Sequence, residues 1–378
     1  MSGPSESQNL SDSDYEVFGV RKEQARPLYK PDEIKCLKNA LDQRFYTHPQ
    51  IKRWCKNEAE LNTAPFETIV TTFNLDGSPV DINAKGPNKR IAFCSYNQFA
   101  IAREDQPPAT DKEFDGTLVR VGKAWPTRKP EKCCATETFA AQTRQYVQWW
   151  KKTDFYTQVQ RYIEKYAIRM AEVKSVVCFG LGRLKVDANI SKHGDTHGAA
   201  CYLQHYIALH IRDLIAKEQK KRKEDIPIYA QDAAYCDNCK SVLTKLGFIV
   251  VPGNTGFLKL DGNAFVVAIR PAAPVRQIVA DLTRDTHGPA GILCSIIHIK
   301  ADMEAEGNVD DESHPWLQGE FLNGCAASNM LVEMKPDPGS GSDDARNDSH
   351  YKVEFDDMEV PGMVFGPVGW YFKDKKFK

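Results

Sequence analysis

The sequence has no apolar run long enough to cross a bilayer, no P-loop, no H-E-x-x-H pair and no G-x-S-x-G elbow. The first absence argues against a membrane-spanning helix. The others remove the usual phosphate cradle for ATP and two familiar hydrolase solutions. Excess charge is also missing. Fifty Lys and Arg stand against 51 Asp and Glu, a formal net charge of −1. No global basic field therefore draws nucleic acid, and DNA is not an expected partner. The opening MSGPSESQNLSDSDYEV carries no apolar stretch of the kind a secretory signal needs. Eleven cysteines, an odd number, then read as reduced thiols in a cytoplasmic protein rather than as a disulfide framework.

What is present is the composition of an ordinary globular chain, 42% hydrophobic and 27% charged over 378 residues. That is more than one small core needs. Residues 1–28 are rich in Ser, Asp and Glu and are expected to be a disordered tail. Residues 29–137 read as an α+β extension. Ile34, Leu37, Ala40 and Leu41 recur at helical spacing after Asp32, and ETIVTTF, RIAFCSYNQFAI and LVRVGKAW read as strands. The segment between the first two, LDGSPVDINAKGPNK, reads as turns, and PTRKPEK as a loop.

From 138 to 170 one long helix is expected, with Tyr146, Trp149, Trp150, Phe155, Val159, Tyr162, Ile163, Tyr166 and Ile168 on a wide aromatic face. Such a stripe either packs on a core or stacks against bases or an aromatic substrate. Beyond it, short β-branched runs (174–180, 226–232, 248–251, 264–270, 290–294) alternate with helical patterns (201–223, 232–247, 273–282). Strand–helix alternation of this length implies a parallel sheet covered on both faces. The expected fold is therefore α/β. It has a Rossmann-like, mainly parallel sheet over 138–333, the N-terminal α+β extension, a Gly/Ser/Asp-rich loop at 334–350, and a C-terminal strand pair over 351–378. Residues 315–334 read as partly helical.

The chemistry-bearing residues gather at strand ends. In FGLGRL, Gly180 and Gly182 match the first two glycines of a dinucleotide fingerprint, but Lys185 stands where the third is required. A sharp turn at the carboxyl end of the first strand survives, and ligands of open α/β sheets bind along that edge. The next strand end, AQDAAY, brings Gln231, Asp232 and Tyr235 to the same edge. Asp232 reads either as the cap of the helix that Gly247 ends or as an acceptor for an amine, guanidinium or ribose hydroxyl. Cys236 and Cys239 form one C-x-x-C, expected one turn inside that helix and read as packing or surface thiols, since zinc needs four ligands. The loop SKHGDTHG, with His193, Asp195 and His197, reads as solvated or as acid–base or metal chemistry. His205 is either a satisfied core histidine or a base. Arg270 and Arg276 are candidates for an anion or phosphate, Arg276 otherwise for a surface ion pair. The runs KEQKKRK and KDKKFK read as solvated faces. No metal or cofactor is expected.

In order, VVCFGLGRL, CYLQHYIAL, IPIYAQDAAYCDNCKSVLTKLGF, AFVVAIRPAAPVRQIVADL and GPAGILC resemble the SRR-like (sensitivity to red light reduced) domain, its fungal branch in particular, over about 150–330. The matching positions are Gly180 with Gly182, Gln204 with His205, Gln231 with Asp232 and Tyr235, and Pro274 with Val275 and Gln277. Members of the family are linked to light signalling, circadian control and haem metabolism. Fungal proteins similar to this branch are arginine-containing cyclodipeptide synthases. The resemblance implies an enzyme that takes arginyl-tRNA and a second aminoacyl-tRNA and closes a diketopiperazine. Asp232, His205 and Tyr235 would be catalytic, and Gly180, Leu181, Gly182, Gln204, Gln231, Arg270, Arg276 and Gln277 would line the substrate. Asp232 would hold a cationic group, His205 would relay a proton, and amides after Gly180 would face an oxyanion. The acidic Asp-Asp-x-x-Glu signature of those synthases is here Asp310-Asp311-Glu312, differently spaced. The other reading is a non-catalytic regulatory protein that binds haem or another ligand, which requires an axial His or Cys beside an apolar slot.

Overall fold

The computed structural model describes residues 25–27, 44–63, 68–73, 78–84, 89–94, 101–103, 117–123, 147–148, 150–151, 154–184, 196–269, 271, 273–295, 352–355, 358–361, 368–373 and 375. Outside them lie the tail 1–24, the 31–43 periodicity, the 126–132 loop, Tyr146, Trp149, His193, Asp195, Arg270, the acidic run 310–312 and the segments 315–334 and 336–349. The chain divides into two compact units, one of residues 1–45 and 57–123, the other of 46–56 and 124–378.

The first unit holds antiparallel pairs. Strand β1 (Ala25–Pro27) pairs with β5 (Ile101–Arg103), β2 (Thr68–Phe73) with β3 (Pro79–Ala84), and β4 (Lys89–Phe93) with β6 (Val119–Lys123). Strand β3 corrects the expectation of turns over 75–89. Its Pro, Asp and Asn hide an alternation in which Ile82 and Ala84 face inward, and pairing with β2 supplies what propensity withholds. RIAFCSYNQFAI likewise yields two strands, β4 and β5, rather than one. Helix α1 (His48–Thr63) contributes Glu58, whose carboxylate accepts the Ile91 amide at 3.2 Å.

The second unit is built on six strands in the order β14-β11-β10-β7-β8-β9: β7 (Ser175–Phe179), β8 (Ile228–Gln231), β9 (Phe248–Val250), β10 (Ala264–Ala268), β11 (Gly291–Ser295) and β14 (Val368–Phe372). The first five are parallel, and β14 runs antiparallel along β11. The chain thus steps outward from β7 through β8 to β9, then returns to lay β10 and β11 on the other side of β7. The order reverses between β7 and β10, the place where doubly wound sheets open a crevice at their carboxyl ends. The expected C-terminal strand pair is the hairpin β12 (Lys352–Phe355) and β13 (Met358–Pro361), and β14 follows it.

Side chains two apart share a face of the sheet. Val176 and Cys178 of β7, Ile228 and Ala230 of β8, and Phe265 and Val267 of β10 enter one core with α2 (Asp154–Tyr166), α3 (Thr196–Glu218) and α4 (Asp237–Lys245). The intervening Val177, Phe179, Val266 and Ala268 are equally buried but lie outside that cluster, as do Ile278, Val279 and Leu282 of α5 (Val275–Thr283). Phe179 stacks on Phe257 with ring centroids 4.5 Å apart. Burial on both sides explains why these strands read as unbroken apolar runs.

The aromatic stripe of 138–170 resolves towards packing. Trp150, Val159 and Ile163 are in the core, Tyr162 and Tyr166 stack on Phe372, and Ile168 is exposed beyond the helix end at Tyr166. Helix α3 starts at Thr196, before the expected 201, and stops at Glu218. Lys221 then bonds Glu172 and Arg222 bonds Asp225, so the basic run is a solvated face. Among the described residues no helix is long and apolar enough to cross a membrane.

Candidate functional site at the carboxyl edge of the sheet

Strand β7 ends in a turn that needs glycine twice. Gly180 and Gly182 have φ of +65° and +82°, a region that strains residues carrying a Cβ. A Cβ on Gly180 would meet the Cα of Pro271 at 2.9 Å, and one on Gly182 would strike the Cys201 sulfur. The loops after β7 and β10 therefore touch across the switch point. Leu181, between the glycines, is fully buried in the core. Its side chain packs the turn against that core. Among the described residues the next helix after these glycines is α3, which begins at Thr196, so none opens directly on them as a dinucleotide site requires.

Asp232 follows β8 and crosses to that turn. Its carboxylate accepts the Gly182 amide and the Ala234 amide, each at 2.7 Å. It does not cap α4. That helix starts at Asp237 with Cys236 as its cap, the sulfur accepting the Cys239 amide. Asp232 outranks Cys as a capping type, but its bond to Gly182, fifty residues away, takes it elsewhere. The same bond removes the Gly182 amide from the expected oxyanion role. The Gly182 amide is taken by Asp232, and the Gly180 amide by the Gln231 carbonyl at 3.0 Å. Gln231 itself is pinned: its side-chain oxygen accepts the Gly256 amide at 2.7 Å.

His205 and Tyr235 meet behind this rim. His205 Nδ1 lies 2.6 Å from the Cys201 carbonyl and Nε2 2.8 Å from the Tyr235 hydroxyl. A carbonyl only accepts, so Nδ1 carries the proton and donates, and Tyr235 donates to Nε2. His205 is 1% exposed, and burial pulls its pKa down to about 4 against a weak opposing pull from the Cys201 carbonyl. Burial, then the charge of Asp232, pushes Tyr235 well above the usual phenol value. At neutral pH both are uncharged, a histidine acceptor holding a phenol donor. The ring also lies edge-on to Phe248. His205 therefore reaches a guest only through Tyr235.

Gln204, beside it on α3, is buried, and its side-chain oxygen has no hydrogen-bond partner among the described residues. Arg276 is not a surface ion pair. It is 2% exposed and donates to the Ser295 carbonyl at the end of β11 at 2.8 Å, beside the buried Cys294 thiol, whose pKa burial raises to about 11. Gln277 is buried on the same helix. Sequence reasoning missed three participants: Cys201, Gly256 and Pro271. Each acts through backbone or bulk, Gly256 and Pro271 across long chain separations, and no local motif marks such a role. Among the described residues no group of three or more potential ligands is arranged for a metal ion.

A doubly wound α/β sheet with polar side chains drawn to its carboxyl edge is thus the class of protein at hand. The SRR1 domain model matches residues 157–314. That span runs from α2 past the end of β11, so the glycine turn, Asp232, His205 and Tyr235 all fall within it. No curated protein and no solved structure matches the chain.

Proposed function

We propose that this protein is an aminoacyl-tRNA-dependent transferase that forms an arginine-containing cyclic dipeptide, with the carboxyl edge of the SRR1 domain as its site. One observation carries the reading: the half-buried Asp232 carboxylate, fixed by two amides at the switch-point rim and backed by the His205–Tyr235 pair. A carboxylate offers about four acceptor positions, so amide bonds to Asp232 do not by themselves bar a guanidinium or α-ammonium guest. The buried Gln204 oxygen is a second acceptor suited to a donor-rich guest.

The chemistry asks little else of the protein. The α-amine of one aminoacyl group attacks the ester carbonyl of the other. The new C–N bond forms, the ester C–O bond breaks, and the ribose hydroxyl leaves with the proton the amine has lost. Repeating the step within the dipeptidyl ester closes the ring and frees the second tRNA. The esters carry the energy, so no ATP site is needed, and positioning is the main contribution. His205 serves as a positioning residue for the Tyr235 hydroxyl.

The test is incubation of the purified chain with arginyl-tRNA and each second aminoacyl-tRNA, followed by mass spectrometry for cyclic dipeptides. Product is expected with at least one pairing, and Asp232→Asn should lower it by about tenfold or more, the effect of about 1.4 kcal/mol in the transition state. No product with any pairing would overturn the reading. The rival is a non-catalytic regulatory protein that binds haem or another ligand; His205, with both nitrogens engaged internally, would not be its axial ligand. A Soret band on haem titration, with no cyclic dipeptide, would select it.

A further inference from the structure

Helix α4 begins with two cysteines, one at the cap and one in its first turn. Cys236 is the cap, with extended backbone, and its sulfur accepts the Cys239 amide at 3.4 Å. The two sulfurs are 3.5 Å apart. Their exposure differs: Cys236 is partly open to solvent, while Cys239 is fully buried, its sulfur 4.0 Å from the Leu184 carbonyl. This placement corrects the expectation that the C-x-x-C lies one turn inside the helix. It lies at the start, where the cap sulfur faces the Cys239 amide and a second thiol waits within reach. Those are the conditions for an attacking and a resolving thiol.

We propose that Cys236 and Cys239 are a redox-active dithiol that forms a reversible disulfide by exchange with a small-molecule disulfide. Cys236 gives up its proton, and its sulfur attacks one sulfur of the small disulfide. The S–S bond of the reagent breaks, one small thiol leaves with that proton, and a mixed disulfide remains on Cys236. Cys239 then attacks the Cys236 sulfur and loses its own proton to the second departing thiol. Two protein thiols are oxidised, and one disulfide is reduced to two thiols. Closure requires the sulfurs to move from 3.5 Å to about 2.05 Å, a shift that rotation of the partly open Cys236 side chain supplies. Tyr235 immediately precedes Cys236, so the bond tethers the backbone that presents the His205 partner. The proposal is independent of what the rim binds.

The experiment uses the full-length protein equilibrated in oxidised and reduced glutathione at a series of ratios. Thiols are then trapped by alkylation and the chain is cut with trypsin. Cleavage after Lys223 and Lys240 releases a peptide that contains Cys236, Cys239 and no other cysteine. The expected result is a doubly alkylated peptide under reducing ratios. Under oxidising ratios it gives way to an unalkylated peptide lighter by two hydrogens than the dithiol. Cys239→Ser should halt the reaction at the glutathione adduct on Cys236, whereas Cys236→Ser should leave the buried Cys239 without an adduct. A wild-type peptide that stays doubly alkylated at every ratio, or that carries glutathione without ever closing, would overturn the proposal.

Discussion

Acidification should unfold this protein partly through one residue, His205. In the folded chain its pKa is pulled from 6.5 to about 4 by burial. The unfolded chain therefore takes up a proton between those values while the folded chain refuses it. Stability falls with falling pH wherever the unfolded state binds more protons. The contribution is thus intact above pH 6.5, declines as pH drops, and levels off below the folded value. Linkage gives a loss of about 2 kcal/mol between pH 7 and pH 5, and about 3 kcal/mol by pH 4. That compares with the 5–15 kcal/mol that typically holds a domain together. His210 is also lowered to about 4 by burial and acts in the same direction, but it is more exposed and its effect is correspondingly screened. The assay is urea unfolding of wild type and His205→Gln at pH 7, 6 and 5. Glutamine offers Tyr235 an acceptor but does not titrate. His210 is common to both proteins and cancels in the difference. Wild type should lose about 2 kcal/mol more than the variant over that range. Parallel pH profiles would refute the reasoning, because they would mean that His205 carries the same proton affinity folded and unfolded.

Three further perturbations bear on the frame around the site. Lys373, buried at the end of β14, donates to the carbonyls of Gly262, Thr286 and Gly288 at 2.7, 2.9 and 3.0 Å. Lys373→Met strands those acceptors and should cost about 3 kcal/mol, the loss of charge-assisted bonds exceeding the relief of burying an ammonium; a change under about 1 kcal/mol in urea unfolding would contradict this. Gly182→Ala must hold φ at +82° with a methyl against the Cys201 sulfur, so about 2–4 kcal/mol should be lost through strain and overpacking, and a stabilised variant would refute the assigned turn. Phe257→Ala removes the ring stacked on Phe179 and should cost about 3–5 kcal/mol by cavity formation, measured as a lowered urea midpoint at unchanged slope.

Much of the sheet was legible because both of its faces are buried. Five apolar runs, each bounded by turn residues, correspond to β7, β8, β9, β10 and β11, and the helices between them show plain periodicity. Strand order was not legible, since nothing in AFVVA says that it lies beside SVVCF rather than beside FIV. That choice is made by side-chain packing and by the crossover rule, both long-range. Strand β3 was missed for the opposite reason. It is half exposed, so its outward positions carry Pro79, Asp81 and Asn83, residues that on their own signal turns. Only the register with β2, where Thr71 bonds Asp81 across the pair at 2.8 Å, makes them strand residues.

The site divides along the same line. That glycines after β7 and an acid after β8 reach one edge follows from topology, and the Asp232–Gly182 bond realises it. The sequence DAAYCDNC, however, offers several caps, and propensity ranks Asp232 above Cys236. The fold chooses Cys236 because a carboxylate gains more from bridging two chain segments, through the Gly182 and Ala234 amides, than from capping one helix. That choice has two consequences. It withdraws the Gly182 amide from any guest, and it moves the C-x-x-C to the helix start, where its sulfurs stand 3.5 Å apart. One long-range hydrogen bond thus decides both what the rim offers a substrate and where the dithiol sits, and neither outcome is written in the spacing of the residues involved.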